Sequence, residues 1–201
     1  MSIQSFAFFV FLVFSIAACQ LRIDDQQRTL GYPEDSVTTS PSIVNESLPP
    51  MSEIRRGYYA MLVTGRSSSF IRGLYRGEAT FANTSTPIIN GSGVRGNIKK
   101  EFSFLYSQGL IRKLKIYFAG EPSGEQIYPL LPYESFRTSV PEDSVAATYI
   151  IASNYLFDSN QGSVELHSVS ENQIQGTLNG NFISDRGDSI QVSLNFKAIR
   201  E

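Results

Sequence analysis

The sequence predicts an all-β domain of roughly nine strands, an antiparallel sandwich or barrel, preceded by a lipoprotein-type signal peptide and a disordered linker. Three observations carry the fold prediction. Apolar and polar residues alternate with a period of two through much of 53–201. Clusters of Gly, Asn, Asp and Ser interrupt that alternation at hairpin spacing. No segment offers an apolar face that recurs every 3.6 residues.

Composition narrows the function classes. The 201 residues carry 17 Lys plus Arg against 19 Asp plus Glu, a net charge of -2. A generic nucleic-acid binder needs an excess of cations to displace counterions, so nucleic acid is not an expected partner. With 41% apolar and 18% charged residues, the chain is too apolar for disorder throughout and too polar for a multi-span membrane protein. One Cys allows no intrachain disulfide, and one Cys with one His cannot build a Cys/His zinc centre. No metal or cofactor is expected.

The chain opens with Phe6 to Ile16, FAFFVFLVFSI. As a helix this run reaches about 16 Å, roughly half a bilayer core, so it suits the h-region of a secretory signal and cannot span. It leads into Ile16-Ala17-Ala18-Cys19, which resembles a bacterial lipobox. That resemblance implies cleavage after residue 18, a diacylglycerol thioether on Cys19 and acylation of the new amino group with a fatty acid such as palmitate. Met1-Ser2-Ile3-Gln4-Ser5 departs from the pattern in having no Lys or Arg. Gln20 stands where an Asp would resemble an inner-membrane retention signal, so the resemblance places the protein at the outer membrane of a cell envelope, facing either the periplasm or the surface. Several acyl chains, at about 0.8 kcal/mol per buried CH₂, hold a soluble domain on a membrane far better than one.

Residues 19–52 form the linker. Pro33, Pro41, Pro49 and Pro50 lie among Ser, Thr, Asp and Glu, and two Arg face five carboxylates. Such a segment is extended by its prolines and by its own charge, giving the domain reach above the membrane.

The domain, 53–201, reads as successive strands. Tyr58 to Val63 pairs with Ile71 to Phe81, whose Ile71, Gly73, Tyr75, Gly77, Ala79 and Phe81 share one face. Phe102, Phe104 and Tyr106 pass through Ser107-Gln108-Gly109 to a strand with Leu110, Leu114, Ile116 and Phe118 opposite Lys113, Lys115 and Tyr117. Glu121 to Asp143, with Pro122, Pro129, Pro132 and Pro141, predicts a long irregular crossing with a short edge strand. Ala147 to Phe157 returns to strand. Val164 to Val169 follows, then Ile174, Gly176, Leu178, Gly180 and Phe182 inward. Last come Ile190, Val192, Leu194, Phe196 and Ala198. Ser184 to Ser189 supplies the turn of that final hairpin.

Gly77-Glu78-Ala79-Thr80-Phe81, Ile116-Tyr117-Phe118, Gly162-Ser163-Val164-Glu165-Leu166 and Ile174-Gln175-Gly176-Thr177-Leu178 together resemble small bacterial outer-membrane-type lipoproteins with an all-β domain of unknown function. The likeness covers about 57–199. It implies a β fold and an envelope location and carries over no catalytic residue.

Several patterns invite chemistry. His167, the sole histidine, shares an outer face with Glu165 and has no nucleophile assigned to it. Gly91-Ser92-Gly93-Val94-Arg95-Gly96 fits GxGxxG, but a strand follows where a dinucleotide site needs a helix, so it reads as a turn. Glu142-Asp143 and the Asp185/Asp188 pair lack a spaced Ca²⁺ ligand set. Arg186-Gly187-Asp188 resembles an integrin-recognition triplet and is also what a tight turn requires. Asp35-Ser36-Val37, Asp143-Ser144-Val145 and Asp188-Ser189-Ile190 resemble acceptor sites of a bacterial O-glycosylation system.

Charge is divided along the chain. Residues 53–120 hold eleven Lys or Arg and three acids, whereas 121–201 hold four and eleven. The simplest expectation is that strands from the two halves neighbour and neutralise one another. The alternative keeps Lys99, Lys100, Arg112, Lys113 and Lys115 as a cationic patch for lipid phosphate or an acidic glycan.

These readings converge on a non-enzymatic, lipid-anchored β module that binds or scaffolds an envelope protein, glycan or lipid. Two alternatives stand beside it. One is a carrier of a small amphiphile in a barrel cavity, for which Gly73, Gly77, Gly176 and Gly180 would make room. The other is a carbohydrate-binding or carbohydrate-acting protein using an exposed Tyr and two carboxylates. The anchor is directly testable: labelled palmitate fed to the producing bacterium is expected to mark the wild-type chain, and Cys19→Ser is expected to abolish the label.

Overall fold

The computed structural model describes residues 47–65, 71–90, 93–108, 110–139, 143–152 and 155–201. The signal peptide 1–18, Cys19, the linker as far as residue 46 and the Asp35-Ser36-Val37 triplet lie outside the described residues. The described chain belongs to one compact unit, Asn45–Glu201.

Among the described residues, nine strands follow a 3₁₀ turn at Met51–Glu53: β1 Tyr58–Gly65, β2 Gly73–Asn90, β3 Gly93–Tyr106, β4 Arg112–Phe118, β5 Gln126–Pro129, β6 Val145–Ile151, β7 Tyr155–Val169, β8 Gln173–Ser184 and β9 Ser189–Arg200. A helix, α1, spans Tyr133–Ser139 between β5 and β6. Eight strands close into a barrel in the order β1-β2-β3-β4-β6-β7-β8-β9, each antiparallel to its neighbours. Of the two architectures predicted, the barrel is the one formed. Closure comes from β1 and β9, which run together from Tyr58↔Lys197 to Gly65↔Ile190. Where β1 has not yet begun, β2 and β9 meet directly in a two-residue parallel contact, Thr80↔Ile199 and Phe81↔Arg200.

The ninth strand extends the wall. β6 pairs with β7 only over Thr148↔Asp158 to Ile151↔Tyr155, and β5 takes up the same edge further along, from Gln126↔Leu166 to Pro129↔Ser163. This is the short strand expected within the Pro-rich crossing. The helix in that crossing corrects the expectation of no helical segment. At seven residues with one buried side chain, Phe136, it is too short to display a 3.6-residue period. Phe136 packs with Ile88, Ala119 and Ala146, so α1 and the long β2–β3 hairpin cover part of the wall's outer side. Ala146 is consequently buried on the face opposite Val145 and Ala147. Nor is Ala147 to Phe157 one strand: it turns at Ala152, whose φ is 51°, and returns as β7.

Inward alternation fills the barrel with rings. Phe102 lies at the centre, with ring centroids of Phe81, Phe118 and Phe196 at 5.7, 5.3 and 5.6 Å. Phe104 meets Phe196 at 5.1 Å, and Phe118 meets Tyr128 at 5.1 Å. The inward residues predicted on β8 and β9 are all buried. Leu110 is an exception among the predicted inward residues. It precedes β4 and is 43% exposed, so Arg112 takes the first inward position of that strand.

Three of the four glycines expected to open a cavity instead admit close neighbours, and a Cβ on Gly73 would make only ordinary contact with the Tyr75 phenol. A Cβ on Gly176 would sit 2.9 Å from Phe196 Cζ and 3.0 Å from Leu166 Cδ2, and one on Gly180 would lie 2.6 Å from Leu130 Cδ2. At Gly77 a Cβ would come within 2.1 Å of the Leu105 carbonyl oxygen. Glycine is required there because a neighbouring backbone occupies the place of a side chain.

The centrality of Phe102 sets a stability test. Phe102→Ala is expected to lower the unfolding free energy by about 3–5 kcal/mol in denaturant titration. Ile183→Ala on the outer wall, where the side chain is 37% exposed, should change it by no more than about 0.5 kcal/mol.

Candidate functional site

The five cations proposed as a patch do not share a surface. Lys113 and Lys115 point outward from β4, and Lys99 is exposed on the outer side of β3. Lys115 pairs with Glu101 at 2.5 Å. Lys100 is on the inward phase with Phe102 and Phe104. It is buried, lies 5.4 Å above the Phe81 ring and pairs with Glu121 at 3.2 Å. Arg112 also turns inward, at the opposite end of the barrel, because β4 places it in register with Tyr106 of β3 and Ile151 of β6.

Arg112 there joins a belt of phenols from four strands: Tyr59 of β1, Tyr75 of β2, Tyr106 of β3 and Tyr149 of β6. Its guanidinium carbon is 4.4 Å from the Tyr75 ring centroid and 5.6 Å from that of Tyr106, and Nη1 donates to the Leu110 carbonyl at 2.9 Å. The Tyr75 and Tyr106 rings meet edge to face at 5.2 Å. Tyr75 donates to the Ile71 carbonyl at 2.8 Å. Burial pushes the phenols of Tyr59 and Tyr149 well above the usual tyrosine value, while the Arg112 charge pulls both down. The Tyr59 hydroxyl is buried and has no hydrogen-bond partner among the described residues, whereas the buried Tyr149 hydroxyl lies beside Arg112, whose charge and hydrogen bond both oppose the effect of burial. A Tyr on an inward phase is the belt's only local signal, and strand order is needed to bring four of them around one Arg.

Outside the wall, two clefts of about 320 Å³ each flank one aromatic and one cation. Both are lined by Tyr58, 45% exposed at the start of β1, and by Arg76 on the outer side of β2. The first adds Pro49, Glu53, Ile54 and Arg55; the second adds Glu78, Leu105, Ser107 and Gln108. Register sets Tyr58 opposite Glu78 on one side and Lys197 on the other. The Pro49 carbonyl accepts from Asn195 Nδ2 at 2.8 Å, so the end of the predicted linker is fastened to β9 beside this cleft.

Strand order also decides the fate of the divided charge. β1 to β4 are contiguous in the wall, and so are β6 to β9. The cationic and anionic halves of the sequence therefore become two sides of the barrel that meet at the β1–β9 and β4–β6 seams, with a short β2–β9 contact. Lys100–Glu121 bridges the halves, whereas Lys115–Glu101 and Arg200–Glu171 each lie within one. General neutralisation between neighbouring strands, the simpler expectation, is not what this order produces.

The remaining motifs occupy structural roles. Arg186-Gly187-Asp188 forms the β8–β9 turn, with Gly187 at φ 82° and Ser184 Oγ accepting from the amides of Arg186 and Asp188. The Asp188 carboxylate also accepts from the Tyr155 hydroxyl. Ser144 of the second acceptor-like triplet is 2% exposed. His167 and Glu165 are outward neighbours at 3.7 Å. Among the described residues, no three His, Cys, Asp or Glu side chains gather where they could hold a metal. No family model, curated protein or solved structure matches the chain.

Asp158 of β7 provides a pH test. Burial, then the neighbouring Glu134, raises its carboxyl above the ordinary aspartate value, with Arg137 acting in the opposite sense. Its Oδ1 is buried without a hydrogen-bond partner among the described residues. The folded state thus holds this proton more tightly than the unfolded chain, and stability from that site is lost as pH rises through the raised pKa. Asp158→Asn is expected to melt above wild type at pH 7, with the gap in Tm closing below the ordinary Asp pKa of about 3.9.

Proposed function

We propose that the chain is a lipid-anchored protein of the bacterial outer membrane whose barrel is a non-enzymatic binding module, with its ligand on the outer wall. The observation that carries this reading is the pair of clefts around Tyr58 and Arg76, set on the cationic side of the barrel and beside the point where the linker joins it. The first cleft favours an anionic ligand, because Arg55 and Arg76 outnumber Glu53 in its lining, whereas in the second Arg76 faces Glu78.

An acidic glycan fits the side chains best. Tyr58 offers a flat face to a sugar ring, the two Arg match its carboxylates, and Ser107 with Gln108 can exchange hydrogen bonds with hydroxyls. Glu53 and Glu78 add acceptors for hydroxyl donors. The ring-filled interior weighs against an amphiphile carrier, since the space beside Gly77, Gly176 and Gly180 is already occupied by neighbours.

Titration of the full lipidated chain with a polyuronic acid tests the reading. Binding is expected to weaken with salt and to fall at least tenfold, about 1.4 kcal/mol, in Tyr58→Ala or Arg76→Ala. It should be unchanged in Ile183→Ala. Affinity equal in all variants rejects the cleft, and retention only by anionic lipid vesicles replaces the glycan with a membrane surface.

A further inference from the structure

We propose that the outer wall across β7, β8 and β9 carries a second binding site, for a neutral saccharide, in which the side-chain amides of Gln161, Asn179, Asn181 and Gln191 hydrogen-bond sugar hydroxyls. This site shares no residue with the clefts around Tyr58 and Arg76 and does not rest on the acidic-glycan reading.

An open cleft of about 510 Å³ lies on this part of the wall, lined by the four amides with Gly162 and Gly180. Register sets Gln161 of β7 beside Asn181 of β8, and Asn181 beside Gln191 of β9, so three amides form a row across adjacent strands. Asn179 belongs to the next outward row, between Ser163 and Ser193. Strands about 4.8 Å apart, with successive outward residues about 6.7 Å apart along each, make a polar mesh that the hydroxyls of adjoining sugar units can reach.

A break in β7 builds that mesh. Phe157 and Ser159 are buried at odd positions, Val164 and Leu166 at even ones. The phase changes at a bulge: Ser159 pairs with Phe182 and Gln161 already with Asn181, which makes Asn160 the extra residue. Without it, Gln161 would continue the inward series of Phe157 and Ser159. Gly162 follows at φ 143°, where a Cβ would lie 2.2 Å from the Asn179 carbonyl oxygen. Gly162 pairs with Gly180 between the two polar rows, and their backbones line the cleft.

The chemistry of the lining selects the ligand. None of the four side-chain amides has a hydrogen-bond partner among the described residues, whereas Asn195, further along β9, is committed to the Pro49 carbonyl. Each amide offers two N–H donors and a carbonyl acceptor, and a sugar hydroxyl both donates and accepts. No Lys, Arg, Asp or Glu lines the cleft, so an ionic ligand would find no counter-charge there. No aromatic ring lines it either, so a nucleobase would have nothing to stack on. An added peptide strand needs a free edge, and β8 is paired on both sides. A neutral polyhydroxyl compound meets every one of these conditions.

An array of neutral oligosaccharides of hexoses and N-acetylhexosamines, probed with the full chain, tests the site. At least one is expected to be retained, with little change when salt is raised. In calorimetric titration with the retained sugar, Asn181→Ala/Gln191→Ala is expected to weaken binding at least tenfold while keeping the wild-type Tm, because neither side chain belongs to the core. Tyr58→Ala and Arg76→Ala should leave this affinity unchanged. An array on which no neutral sugar is retained, or equal affinity in wild type and the double variant, overturns the inference and leaves the amides to water. Loss of the sugar in Tyr58→Ala with retention in the double variant overturns it as well, by moving the ligand to the Tyr58 cleft.

Discussion

The pairing of β1 with β9 is the constraint on which the rest of the structure depends. Apart from the two-residue β2–β9 contact, every other pairing between barrel strands joins segments that are neighbours in chain order, with one helix-containing detour between β4 and β6. The long β1–β9 ladder brings the two ends of the domain together, from Tyr58↔Lys197 to Gly65↔Ile190. Without that ladder the sheet would have two open edges, and its apolar face would have nothing to close against. With it, one face of each strand points at every other, and the phenylalanines around Phe102 pack at the axis.

Closure also explains why the barrel separates its polar chemistry into two places. A chain that winds around the wall in near-sequential order keeps residues close in sequence close on the surface. The basic first half therefore becomes one side, and Tyr58, Arg55 and Arg76 gather outside it. On the inside, register selects a single level of each strand, and at the loop end that level carries Tyr59, Tyr75, Tyr106, Arg112 and Tyr149. A two-residue period can place a cation in the core as readily as on the surface, because only phase decides which side it faces.

Arg112 and Lys113 illustrate that point. They are adjacent and alike in charge, yet the first is buried among phenols and the second faces outward. Leu110, which looked like the start of the inward series, lies before the strand begins. The patch proposed from their proximity in sequence dissolves once phase and strand boundary are known. The glycines behave similarly. Gly176 and Gly180 sit on the inward face as their spacing indicates, but what occupies the space beside them is Phe196, Leu166 and Leu130, which come from other elements.

The sequence alone determined the β class, the strand phases and the turns, because alternation, Gly placement and turn residues act over a few neighbouring positions. The inward sets Ile174, Leu178, Phe182 and Ile190, Val192, Leu194, Phe196 were legible for that reason. Tertiary structure alone decided barrel over sandwich, the short helix around Phe136, the meeting of four tyrosines with Arg112 and the pairing of Tyr58 with Arg76 across a cleft. Those outcomes depend on which distant strands pair and in what register, and a local pattern of polarity contains no term for either.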